Sequence, residues 1–461
     1  MSESTALIED ELAEPTAGDV DANAEEEERE LSPSEALYAR LTRLIFTLAN
    51  RQSEVLRMSE YFSEREAEVN DMKRRATRQI KHELQEVDEA VLDSYLSLFE
   101  EFDPNADLTK EEEGDRDREF SEQLRQIGRA LPEGVDLVYL DAMASSFSKS
   151  VGAGYLHSSL LMILVGELEM FINYLARACF EASPEALDKS ERKLTWAEIS
   201  VFESVEDIRD AIVDRAVEDL LRGSLTDWVT FFETTFGIPQ IDSARTYAVL
   251  EAMQRRHCIV HNGSFVSPRY LKNLRDFDVD LKVGDHLEVD DDYLHQAADT
   301  MMLVAYSLTW ALGVKLTRDP EVGESLVQEL VNYTMTLLQQ GRFDLVRQIG
   351  EGALKGLKPK TEVMEALGFT LQVNTWIAHK ELGTFAAVER AIKDFPVANR
   401  SDEFKLAKAA LLDQHDVASA VARRMLDAGD LHVSSIVTWP LLRNIRDLVS
   451  PDRAEIASDD A

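Results

Sequence analysis

The stretch GYLHSSLLMILVGELEMFINYLARACFEA, residues 154–182, decides the fold class. It reads as one long, mostly buried helix. Glu167 and Glu169 break its most apolar window, so it falls short of a clean transmembrane span. The segments after it repeat the helical pattern. SVEDIRDAIVDRAVEDLLRG, 204–223, is amphipathic with Ser204 at its cap, and SLTDWVTFFETTFGI, 224–238, is shorter and rich in aromatics. DSARTYAVLEAMQRRHCIVHNG, 242–263, ends on Asn262 and Gly263, residues that stop helices well. A loop with some strand character, 266–289, leads to DDDYLHQAADTMMLVAYSLTWALGVKL, 290–316. The expectation is an all-α protein whose residues 150–318 form a bundle of four principal helices.

Working outward, SPSEALYARLTRLIFTLA, 32–49, starts a helix with Ser32 or Ser34 as cap. Val69, Met72, Ala76, Ile80, Leu84, Val87, Val91, Tyr95 and Leu98 then recur at three- and four-residue steps. That stripe suits a helical arm or antiparallel hairpin over 34–102, and an ordinary amphipathic bundle helix equally well. DPNADLTKEEEGDRDREF, 103–120, reads as a charged linker, with short helices on to 149. Residues 1–33 and 451–461 are expected to be disordered tails, the first being polar, acidic and without aromatics.

Beyond 319 the pattern shortens. LLQQGRFDLVRQIGEGAL (337–354), AHKELGTFAAVERAIKDF (378–395) and ALLDQHDVASAVARRML (410–426) each place a small polar turn between two helices. Their spacing, roughly 42 and then 31 residues, is near that of tetratricopeptide-type repeats, so 319–450 is expected to be an α-solenoid-like region.

The 461 residues carry a formal net charge of -38, with 16 lysines against 33 arginines. A dispersed acidic surface poor in lysine fits concentrated salt, where a short Debye length screens self-repulsion. It also argues against a broad basic face for duplex DNA. Cys179 and Cys258 sit in apolar helical patterns and suit a reducing cytoplasm. The N-terminus MSESTALIEDELAEPT has neither the basic nor the apolar region of a signal peptide. A soluble, cytoplasmic protein without membrane association is expected.

Against this acidity, RRHCIVHNG, 255–263, gathers two arginines, two histidines and a cysteine. His257 and His261, four apart, share a helix face and could bind zinc. No third ligand stands near them in sequence, and the intervening residues lack a glutamate, so neither a metal nor a cofactor is expected. Ile259 and Val260 point to burial of Cys258. Glu251 and Arg255, also four apart, suit an ion pair. Residue chemistry therefore leaves two readings open, an anion site and an ordinary helix end.

RHCIVH, 256–261, resembles the RxxxxH signature of the HEPN superfamily of four-helix domains, including the polar residue after the arginine. VHNGSF and LTDWVTFFETTFGI also look like prokaryotic HEPN proteins, and the resemblance covers about residues 150–318. Many members are metal-independent RNases whose dimers bring two arginine–histidine pairs into one cleft. The resemblance implies RNA as substrate, Arg256 as phosphate clamp, His261 as general base or acid, and His257 in an assisting role. Arg255 and Asn262 become candidate substrate contacts, Arg255 also offering a second register. A homodimer in a toxin or defence role follows, with an antitoxin or regulatory protein on the C-terminal repeats. The alternative is a non-catalytic HEPN dimer acting as a scaffold or regulator.

Overall fold

In a computed structural model the chain builds eighteen α-helices and no strand among the described residues. Those residues are 31–65, 82, 87–100, 110–132, 135–140, 153–189, 195–317, 319–397 and 400–449. The two acidic tails, for 1–30 and 451–461, and the stripe from Val69 to Leu84 lie outside them. All-α architecture is what the helical periodicity requires.

Helix α1 (Pro33–Glu64) starts where Ser32 and Glu35 form a reciprocal capping box, with Pro33 in the first turn. Its buried stripe, Leu37, Leu41, Ile45, Leu48, Val55 and Leu56, belongs to the main core. There it packs on α4 (Ala153–Ala182) and α10 (Asp291–Leu316). Ser59 donates to Asp291, and Ser63 bonds His157 at 3.3 Å, fastening its far end to both partners. The expected arm is thus corrected at its first half: α1 is a central bundle helix. Six large aliphatic side chains buried at about 1.5–3 kcal/mol each leave no reason for it to stand free.

Residues 87–98 of that segment belong to a small separate core. Asp88, whose carboxylate accepts from Ala90 N at 2.8 Å, directly precedes α2 (Glu89–Glu100). Lys110–Ala130 is α3, a continuous helix where a charged linker was expected. Arg118 and Glu119 are exposed, while Phe120, Leu124 and Ile127 pack with Leu92, Tyr95, Leu98 and Leu140.

Short α5 (Trp196–Ile199) leads to α6 (Val205–Leu221) and α7 (Leu225–Phe236), each begun by a capping box, at Thr195, Ser204 and Ser224. Phe180 of α4 meets Phe231 and Phe236 of α7 with ring centroids 5.9 and 6.1 Å apart. Then come α8 (Tyr247–Asn262), α9 (Pro268–Asn273) and α10. The segment read as partly strand-like holds α9 and one isolated antiparallel bridge, Phe265 to His286. Helix α4 is the hub, with α1, α6, α8 and α10 packed around it.

The C-terminal region continues with α11 (Pro320–Gln339), α12 (Phe343–Gly356), α13 (Glu362–Glu381), α14 (Glu389–Asp394), α15 (Asp402–Leu411), α16 (His415–Ala428), α17 (Val433–Thr438) and α18 (Arg446–Val449). The three expected turns are present at 341, 383 and 413, each holding a residue of positive φ: Gly341, Gly383 and Asp413. The middle one opens onto a 3-10 turn and the six-residue α14 rather than a full helix. Helices α12 and α13 approach so closely that a Cβ on Gly350 would lie 2.0 Å from Thr375 Oγ1. Bundle and C-terminal helices share one continuous core, α10 packing on α12 and α1 on α11.

Candidate functional site

Helix α8 carries every sequence-predicted site residue, and its C-terminus is tightly defined. Gly263 takes a left-handed φ of 60°, its N–H returning to the Cys258 carbonyl. Ser264 follows with φ 68°, and its N–H reaches the same carbonyl at 3.2 Å. Buried Cys258, Val266, Tyr270, Leu274 and Leu287 then fold the 264–289 segment back against the helix. Cys258 is therefore a packing residue.

Two opposite fates await the neighbouring arginines. The Arg255 side chain is only 15% exposed. Its Nε donates to Glu251 Oε1 at 2.7 Å, another N–H to the Glu288 carbonyl, and its guanidinium lies 4.1 Å from the Tyr293 ring centroid. Glu251 also accepts from Tyr270 at 2.7 Å and Tyr293 at 2.6 Å. Burial and the Glu251 carboxylate push both phenols up, so they stay protonated as donors. The cluster joins α8, α9 and α10. The groove that Arg255 lines, about 710 Å³, also carries Glu288, Asp290, Asp292, Asp299 and Asp344, a wall that repels polyanions. Geometry thus gives Arg255 a structural place in a buried ion pair, against the expected substrate contact.

Arg256 lies on the accessible side. It meets Glu169 of α4 at 3.1 Å, both side chains about a third exposed. One residue on, the rings of His257 and His261 stand 4.6 Å apart at 51°. His257 is half-buried, while His261 and Asn262 are exposed. Burial lowers the His257 pKa, as do the charges of Arg269, His261 and Arg256, so its ring favours the neutral, proton-accepting form. The structure therefore pairs the His257 and His261 rings on an open helix end, with the charge of Arg256 acting on His257 and Asn262 next in sequence.

Two residues escaped sequence reasoning. Arg269, on α9, acts on His257 because the small core under Cys258 folds that loop back. Glu169 reaches Arg256 from 87 residues upstream. Its presence in an otherwise apolar run was a visible sign of a polar task, though its partner was not. Among the described residues no group of three or more His, Cys, Asp or Glu is placed to hold a metal ion.

Comparison with protein-family models, curated proteins and solved structures gives no match. Among the described residues two helices, spanning Tyr155–Ala182 and Asp291–Leu316, are long and apolar enough to cross a membrane. In this fold they are α4 and α10, packed on each other at the centre of the bundle.

Proposed function

We propose that the chain is a metal-independent endoribonuclease of HEPN type, working as a homodimer in the cytoplasm. The observation that carries the reading is the pairing of His257 and His261, 4.6 Å apart on an exposed helix end, with Arg256 adjoining. Arg256 holds the scissile phosphate and offsets charge in the transition state. A neutral histidine takes the ribose 2′-hydroxyl proton, and the attacking oxygen closes on phosphorus. The 5′-oxygen leaves with a proton from the second histidine, giving a 2′,3′-cyclic phosphate and a 5′-hydroxyl. His261, the more accessible ring, is assigned the principal role and His257 the supporting one. Of the two registers, Arg256 is preferred because Arg255 is engaged by Glu251.

A dimer is supported by α4, where Ile163, Met170 and Tyr174 are about half exposed along one side of the helix that also carries Glu169. Helices α11–α16 supply the surface for an antitoxin or regulatory partner, with the HEPN-like bundle and solenoid-like repeats as the corresponding finer fold assignment. A toxin or defence role belongs to the same reading. The second reading, a non-catalytic HEPN scaffold, is favoured by the Arg256–Glu169 pair, which neutralises the clamp within the chain itself.

The test is cleavage of single-stranded or tRNA-like RNA in EDTA. His261→Ala and Arg256→Ala should each lower the rate by about 10²–10⁴ without unfolding the protein. Cleavage indifferent to both substitutions, or no cleavage at all, supports the scaffold.

A further inference from the structure

Just past the end of α8 lies an aromatic pair open to solvent. After Gly263 and Ser264 the chain turns, and main-chain bonds hold it to the 284–287 segment. The Val266 N–H donates to the Asp285 carbonyl at 2.8 Å, and the Leu287 N–H to the Ser264 carbonyl at 2.7 Å. Extended residues alternate between two faces. Val266 and Leu287 take the inner face, each 2% exposed, which leaves Phe265 and His286 on the outer one. Phe265 is 48% exposed, with its ring centroid 5.3 Å from that of His286 and the two rings edge to face. Its Cδ2 lies 3.9 Å from where a Cβ on Gly263 would stand. The ring therefore rests against the helix end that carries His261.

Charge around this pair is unlike that of the rest of the chain. Residues 252–275 hold five arginines and lysines, two histidines and no acid, in a sequence with 87 acids against 49 arginines and lysines. Arg255 is engaged by Glu251 and Arg256 meets Glu169. Arg269 and Lys272, three apart on α9, are exposed and in no ion pair among the described residues. Asn273 donates to Gln254 at 2.8 Å and Tyr270 to Glu251 at 2.7 Å, which lays α9 along α8. The His257 pKa is lowered first by burial and next by the charge of Arg269, so that guanidinium stands near the histidines.

We propose that Phe265 and His286 form a platform on which an unpaired RNA base stacks, while Arg269 and Lys272 hold phosphates of the same strand. The inference rests on the ribonuclease reading and names its substrate as single-stranded RNA. A base inside a duplex is already stacked on both faces and has none to offer the ring, so the platform selects unpaired strands. Two cations without acidic partners suit phosphate oxygens, and an exposed ring beside them suits the base. The patch is one aromatic pair in a cationic setting, not the broad apolar face that a protein partner would cover.

A labelled 2′-O-methyl oligonucleotide keeps the phosphates and bases of RNA but lacks the attacking hydroxyl, so anisotropy reads binding without cleavage. The full-length protein should bind it as a single strand at least about fivefold tighter than as a duplex. Phe265→Ala and Phe265→Leu should each weaken single-strand binding about five- to 150-fold, whereas Phe265→Trp should retain it. Leucine keeps apolar bulk, so its failure separates stacking from packing. A strand of equal length made of abasic residues should bind wild type and Phe265→Leu alike, and Arg269→Ala should weaken both strands. No binding, equal affinity for single strand and duplex, or equal affinity of wild type and Phe265→Leu for the base-bearing strand overturns the platform. If Phe265→Ala does not fold, the leucine and tryptophan variants decide. Unmodified RNA left intact in EDTA by a protein that shows the Phe265 effect overturns the cleavage and leaves the platform standing. Cleavage by a protein in which Phe265→Leu changes nothing overturns the platform alone.

Discussion

Arg256 and Glu169 meet at 3.1 Å on side chains about a third exposed, and a pair in that setting contributes about 0–1 kcal/mol. A phosphate oxygen can therefore take the place of Glu169 at small cost, and the carboxylate is a competitor for the clamp. Glu169→Gln removes the competing charge while keeping the side chain's shape. Affinity for a labelled single-stranded RNA oligonucleotide, read by fluorescence anisotropy, should rise about two- to fivefold. Unchanged or weaker binding would remove Arg256 from the phosphate site. The ion pair between Glu251 and Arg255 was legible from their four-residue spacing, because a helix puts such residues side by side. That they sit at a buried junction was not, since Tyr270 and Tyr293 arrive from other helices. Spacing names neighbours within an element and is silent about what crosses from another.

Within α8 that junction fixes the helix that carries both histidines. Glu251 is 3% exposed and accepts three hydrogen bonds, from Arg255, Tyr270 and Tyr293. Removing one member of a buried ion pair leaves the other charge uncompensated, at about 3–5 kcal/mol. Arg255→Met should therefore lower unfolding free energy in urea by that amount. A loss under about 1 kcal/mol, the range of an exposed pair, would show that water reaches Glu251. Element boundaries were legible where local chemistry sets them: Ser32 and Ser204 cap their helices, and Gly263 ends α8. The acidic run at the start of Lys110–Ala130 resembles a linker, whereas Phe120, Leu124 and Ile127 space the narrow apolar face of a helix.

At the scale of the whole molecule, the all-α class was visible in periodicity, but the separation into arm, bundle and repeats was not how the core assembles. An amphipathic stripe tells which face is buried and not against what, so the docking of α1 on α4 and α10 lay beyond local pattern. The charge, by contrast, is read from sequence alone. With a net charge of -38 the folded chain holds its own carboxylates close together, whereas the unfolded chain spreads them. Salt shortens the Debye length from about 10 Å at 0.1 M to about 3 Å at 1 M, and repulsion between surface carboxylates falls accordingly. The midpoint of thermal unfolding should therefore climb as KCl rises from about 0.05 to 1 M, a range over which the Debye length falls severalfold. Residues 1–30 hold twelve acids against Arg29, leaving most of the negative charge on the remainder. A chain lacking them should retain most of the increase. A midpoint indifferent to KCl in the full chain would mean that the acidity does not limit stability. An increase lost on removing residues 1–30 would instead place the salt response in that segment alone.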